Sequence, residues 1–182
     1  LLSPTGSGKT LACLFPVLRD LKHEAKGVQT LILVPARELA LQIETVFKTM
    51  KSEYKVTCCY GGHNTRVEQN NLLEAPAVLI GTPGRIAYHL RNENFDPSTI
   101  QTLVLDEFDK ALELGFQEDM SFIVDQLSGL QQRILTSATE MENIPEFVGL
   151  KEEKIVSYLK SIEVKPDLQM KLVNTISEEK LD

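Results

Sequence analysis

Short apolar runs punctuate this chain: Leu31-Ile32-Leu33-Val34, Ala77-Val78-Leu79-Ile80, Leu103-Val104-Leu105 and Ile134-Leu135. Each is too short for a helix and lacks polar alternation, as expected of strands buried on both faces. Between them lie helical patterns over Thr10 to Leu21, Glu38 to Met50, Arg66 to Glu74 and Phe116 to Leu127. Strand and helix alternate, which predicts an α/β fold with a doubly wound, mostly parallel sheet and helices on both faces. After Leu150 the pattern changes. Lys151-Glu152-Glu153-Lys154 is a charged break, Ile155 to Leu159 reads as one more strand, and from about Ser161 the chain is polar and contains Pro166. The expected organisation is one domain over residues 1–160, then a linker and the start of a second domain over 161–182.

Four of the strands run into polar or Gly/Pro-rich segments at their C-terminal ends: Pro35-Ala36-Arg37-Glu38, Gly81-Thr82-Pro83-Gly84-Arg85, Asp106-Glu107-Phe108-Asp109 and Ser137-Ala138-Thr139. In open α/β sheets the ligand crevice lies outside the carboxyl ends of the strands. All four segments are therefore expected at one edge of the sheet.

The segment Ser3-Pro4-Thr5-Gly6-Ser7-Gly8-Lys9-Thr10 follows the spacing of a phosphate-binding loop, with Ser3 in place of the first glycine. Gly6 and Gly8 let the backbone approach phosphates, Lys9 reaches the β- and γ-phosphates, and the Thr10 hydroxyl ligates Mg²⁺. Such a loop needs an acid near the metal. Asp106-Glu107, at the end of an apolar strand, supplies one. Asp106 would hold Mg²⁺ directly or through water, and Glu107 would orient and deprotonate the attacking water. Lys9, Asp106 and Glu107 are thus the candidate catalytic residues, with ATP and Mg²⁺ as the implied ligands.

Composition changes this picture little. The 182 residues are 42% hydrophobic and 25% charged, proportions of an ordinary globular domain. No apolar run approaches the ~18 residues needed to cross a bilayer. The first residues do not read as a signal peptide, and without an initiator Met the sequence reads as a piece of a longer chain. The cysteines Cys13, Cys58 and Cys59 have no C-x-x-C spacing, which fits a reducing cytoplasm rather than a disulfide or zinc framework. His23, His63 and His89 read as ordinary surface or core histidines. The formal net charge of −7 runs against nucleic-acid binding. Backbone N–H groups at helix N-termini can nevertheless hold phosphate without net positive charge.

Taken as an ordered set from Ser3 to Thr139, these segments resemble the DEAD-box ATP-dependent RNA helicases. Asp106-Glu107-Phe108-Asp109 resembles the D-E-A-D signature, with Phe108 where the family has Ala. Pro35-Ala36-Arg37-Glu38-Leu39-Ala40 resembles P-T-R-E-L-A, with Ala36 in place of Thr. Gly61-Gly62, Thr82-Pro83-Gly84-Arg85 and Ser137-Ala138-Thr139 resemble three further motifs.

The resemblance implies a RecA-like P-loop NTPase domain, the first of two, in a monomeric enzyme with no membrane association. It implies that Pro35, Arg37, Gly62, Thr82, Gly84 and Arg85 grip the sugar-phosphate backbone of a single RNA strand independently of sequence. It also implies that Asp109, Ser137 and Thr139 couple ATP to RNA. The adenine-reading segment lies upstream in that family and the arginine fingers lie in the second domain, so these residues alone are expected to be nearly inactive. Asp109, where related DNA-directed translocases often carry His, favours RNA over DNA. A nucleotide-dependent RNA clamp or assembly scaffold is the alternative, and intact Lys9, Asp106 and Glu107 speak for hydrolysis.

Overall fold

The computed structural model describes residues 1–4, 6–62, 64–141, 143–150 and 154–159. Five strands form one parallel sheet in the order β2-β3-β1-β4-β5: β1 is Thr30–Leu33, β2 Val56–Cys59, β3 Val78–Gly81, β4 Thr102–Leu105 and β5 Gln132–Leu135. The register runs straight across the centre, with Leu33 beside Gly81 on one side and Leu105 on the other. Because the pairings β2–β3, β3–β1, β1–β4 and β4–β5 are all parallel, every C-terminal strand end falls on one edge.

β1, β3 and β4 are buried at every position, as runs without polar alternation should be. Their side chains divide between two cores. Ile32, Ile80 and Val104 pack with Cys13, Leu14 and Val17 of α1 (Lys9–Asp20) and with Ala40, Ile43 and Phe47 of α2 (Arg37–Thr49). Leu31, Leu33, Leu79, Leu103 and Leu105 face the other way. They pack with Leu72 of α3 (Thr65–Leu73), Ile86 and Leu90 of α4 (Pro83–Arg91), and Met120 and Ile123 of α6 (Gln117–Gln126). A short α5 (Phe108–Glu113) adds Phe108 and Ala111 to this second core. The sheet is thus doubly wound, as its alternating pattern predicts.

Two elements depart from the sequence reading. β2 is a strand although Val56-Thr57-Cys58-Cys59 is no aliphatic run. It pairs on one side only and alternates between half-buried and buried positions, the pattern of an edge strand. α4 begins directly after Thr82, with Pro83 in the first turn, where its missing N–H costs nothing. Residues 155–159 do not form the further strand expected. Ser157 makes a single bridge to Leu2, which itself bridges Ser137, so the short leading segment extends the sheet beyond β5. The expected linker over 161–182 lies outside the described residues.

Candidate active site

The phosphate loop leaves the sheet beside β5. Ser3 N–H donates to the Ser137 carbonyl at 3.1 Å, which places the start of the loop against the Ser137-Ala138-Thr139 segment. Gly6 and Gly8 have φ of 78° and 90°, a left-handed backbone that favours glycine, and no other atom lies within 4 Å of where a Cβ would stand on either. Gly6, Ser7 and Gly8 are exposed, while Lys9 and Ser3 are buried. The Lys9 Nζ turns back on its own loop and donates to the carbonyls of Ser3 at 2.6 Å and Pro4 at 3.0 Å. The Ser3 hydroxyl also donates to Ser7 Oγ at 2.5 Å. Thr5 lies outside the described residues.

The acidic motif stands opposite. Asp106 is buried at the end of β4, where its Oδ1 accepts from the Thr136 hydroxyl and from Glu107 N–H at 3.2 Å. Asp106 and Thr10 line the same narrow crevice between α1 and the sheet. A hydroxyl and a carboxylate are hard oxygen donors, the set that Mg²⁺ takes with phosphates, and Gly6 and Gly8 leave open space at the loop. These residues therefore fit a magnesium nucleotide.

Glu107 has φ 48° and ψ 50°, left-handed geometry that is rare outside glycine. Its N–H is held by Thr136 Oγ1 at 3.1 Å, and the next N–H, that of Phe108, by the Thr136 carbonyl at 2.9 Å. The carboxyl of Glu107 is pushed above its ordinary value, first by burial and next by the Asp106 charge, against the opposing pull of Lys9. Phe108 is buried, and its ring meets Phe147 edge-on at 6.3 Å between centroids. The large side chain is accommodated by a three-residue 3₁₀ turn, Glu146–Val148, packed beside it in the core.

Asp109 and Thr139 meet directly, the Thr139 hydroxyl donating to Asp109 Oδ2 at 2.8 Å. Burial pushes the Asp109 carboxyl up, but hydrogen bonds led by that hydroxyl and by Lys110 N–H leave it below its ordinary value. Ser137 Oγ accepts from Thr139 N–H at 3.1 Å and donates to the Thr139 carbonyl at 2.6 Å, shaping the strand end.

The other candidate residues gather at the β2-β3-β1 half of the same edge. Arg37 is exposed at the start of α2, with its guanidinium 5.4 Å from the centroid of the Tyr60 ring. A Cβ on Gly62, at φ 81°, would lie 4.0 Å from the same guanidinium. Thr82 caps α4 from an extended conformation without using its hydroxyl as a cap. Gly84 lies in the first turn of α4, near Asp119 of α6, whose Oδ2 would stand 3.3 Å from a Cβ there. Pro35 is buried and shapes the turn from β1 into α2 rather than offering its ring to a ligand.

One cluster beneath this half escapes sequence reading. Glu68, fully buried on α3, accepts from Tyr60 N–H at 2.9 Å and pairs with Arg85 at 3.3 Å and with His89 Nε2 at 2.9 Å. Its signal is a carboxylate four residues before buried Leu72, hence on the apolar side of α3. Elsewhere, burial pushes the Cys13 and Cys58 thiols up to about 12 and Cys59 higher still, so none of the three is a ready nucleophile. Among the described residues no helix is long and apolar enough to cross a membrane.

A phosphate loop feeding a helix, opposed by a strand-end acid pair in a doubly wound parallel sheet, defines a P-loop nucleotide-binding domain of RecA-like build. Residues 1–147 match the DEAD/DEAH box helicase family, and the chain belongs to it. It is 38% identical over 172 residues to the ATP-dependent RNA helicase DeaD of Escherichia coli K12, covering 92% of this chain and 27% of that protein. The crystal structure of the yeast DEAD-box splicing factor Prp28 superposes with a TM-score of 0.71 at 31% identity, over 78% of this chain and 36% of that one. A hypothetical ATP-dependent RNA helicase from Sulfolobus tokodaii gives 0.68 at 31% identity, over 81% and 42%. The chain thus spans about a quarter of the length of DeaD.

Proposed function

We propose that this domain binds and hydrolyses ATP with Mg²⁺, and that the whole protein couples hydrolysis to local opening or remodelling of RNA duplexes. The observation that carries the reading is the division of one sheet edge. Lys9, Asp106 and Glu107 stand around the phosphate loop at one half, and Arg37, Gly62, Thr82, Gly84 and Arg85 at the other.

Thr10 and Asp106 would hold Mg²⁺, which would supply neutralisation of the phosphate charge. Lys9 gives up the Ser3 and Pro4 carbonyls for phosphate oxygens, and N–H groups at the Gly8 start of α1 serve the same anion. Glu107 orients water and takes its proton. Its raised carboxyl pKa brings it nearer the neutral range, where a general base works best. The Thr139–Asp109 bond ties the strand end beside the loop to the acidic motif and serves as the link to RNA. RNA lies along the second half through its backbone, with Arg37 and Arg85 as forked donors to phosphate. A second helicase domain completes both sites. The 182 residues alone then turn over ATP slower by on the order of 10³–10⁵, the worth of an arginine finger.

The test is phosphate release from ATP by the whole protein, with and without single-stranded RNA. Stimulation by RNA is expected. ATP-dependent retention of RNA without turnover would mean a clamp instead, and no response to either ligand would sink the proposal.

A further inference from the structure

The mechanism above makes no use of Glu68 and His89, both fully buried. A buried carboxylate is costly unless paired, and Glu68 is paired to three groups on two other elements at once. Its Oε1 accepts from the N–H of Tyr60, the residue after β2. Its Oε2 faces the Arg85 guanidinium at 3.3 Å and His89 Nε2 at 2.9 Å, both on α4. Asn94 donates to His89 Nδ1 at 2.9 Å, which puts the ring proton on Nε2, directed at Glu68. Cys59, Glu68 and His89 offer atoms within 4.8 Å of one another, the spacing of a metal cluster. The Arg85 cation already faces the oxygen such an ion would need, and the His89 proton fills the ring lone pair. The cluster is a hydrogen-bonded anion station, not a cation site.

What the station holds is informative. Arg85, whose side chain keeps 15% of its surface exposed, is anchored directly. Arg37 is anchored at one remove, since it lies over the ring of Tyr60, whose backbone Glu68 fixes. Gly61 and Gly62 follow Tyr60 immediately. We propose that Glu68 is a positioning residue for RNA, one carboxylate that sets two arginines from different helices, and the glycine turn between them, in a common frame. Arranged this way, the arginines arrive at phosphate already ordered, and binding does not have to supply that order. The anion also offsets their charge from below, leaving a grip that depends on geometry more than on net charge. This suits a chain with a formal charge of −7.

The inference rests on the RNA reading above, and the experiment separates the two. In the whole protein, RNA half-saturation and the ATPase rate at saturating RNA are measured with a mixed-sequence single-stranded oligonucleotide. Binding of ADP with Mg²⁺ reports on the other half of the edge. Glu68→Met keeps the volume and removes the acceptor. It should raise RNA half-saturation by about tenfold or more, the scale of a lost charge-assisted hydrogen bond, and leave ADP affinity and saturated rate in place. Glu68→Gln keeps the shape and one acceptor oxygen but turns an NH2 toward donors and loses the charge, so it should recover only part of the loss. If the unsubstituted protein ignores RNA, the proposed function falls. If it responds to RNA and Glu68→Met responds equally well, the positioning role falls while the function stands. Should Glu68→Met also lose ADP and prove unfolded, a cycle of Glu68→Gln, Arg85→Lys and the pair decides. Losses in RNA affinity that multiply independently overturn the proposal, and coupling of about fivefold or more upholds it.

Discussion

The two halves of the sheet edge are built on opposite plans. Around β4 and β5, groups are held in reserve: Lys9 is parked on its own loop, Gly6 and Gly8 stand open, and Glu107 keeps a backbone conformation it would not choose. Around β2 and β3, groups are fixed in advance, with Glu68 tying Tyr60, Arg85 and His89 together from beneath. On the proposed function, the contrast follows the tasks. A site that must admit, cleave and release a nucleotide needs contacts that can be exchanged. A surface that grips any RNA sequence needs donors at fixed spacing, because it reads a repeating backbone.

If the reserve groups do the chemistry, removing one should cost rate, affinity or fold in distinguishable ways. Glu107→Gln should lower the ATPase rate of the whole protein by about 10²–10⁴, the usual worth of a general base, with nucleotide affinity kept. Weakened ATP binding equal to that of a Lys9 substitution would erase the distinction. Phe108→Ala should cost about 3–5 kcal/mol of stability, because it empties a fully buried ring site against Phe147. Denaturant unfolding measures this, and a loss under about 1 kcal/mol would mean that the 3₁₀ turn collapses into the space. Lys9→Ala should weaken ADP and ATP binding by roughly 10–100-fold through loss of a charged donor, as titration would read.

The smallest of these effects concerns the tie between the halves. Thr139→Val removes the hydroxyl on Asp109 and should cut RNA stimulation several-fold, on the order of 1 kcal/mol, while basal hydrolysis persists. It carries a pH signature. The Asp109 carboxyl lies below its ordinary 3.8, so its contribution to stability is present above that value and is lost as pH falls through the folded-state value. In Thr139→Val the folded-state value rises toward the ordinary one, so this loss should shrink, visible as a shallower acid limb in thermal unfolding. An unchanged acid limb would remove Thr139 as a source of the depression.

The reserve half was the more legible in sequence, and the reason is physical. Phosphate loops and strand-end acids are local: Gly6, Gly8, Lys9 and Thr10 fall within one turn, and Asp106-Glu107 follows three apolar residues. β1, β3 and β4 were legible because central parallel strands are apolar without interruption, whereas half-buried β5 showed only its Ile134-Leu135 end. The edge strand β2 was not, since it is short, holds Thr57 among its four residues and is only half-buried at Val56 and Cys58. The anion station was hidden for another reason. Glu68 and His89 are 21 residues apart and meet only because α3 and α4 flank β3 on the same face.

Glu107 carries one more consequence. Its φ of 48° is a conformation that glycine adopts freely and an L-residue adopts at a cost. Glu107→Gly should therefore gain about 1 kcal/mol in the fold and raise the melting temperature by a few degrees, while abolishing hydrolysis. Position 107 is thus a point at which breeding for heat tolerance and breeding for turnover would pull the same codon in opposite directions. Variants selected only for durability should collect glycine or asparagine there and be mute as enzymes.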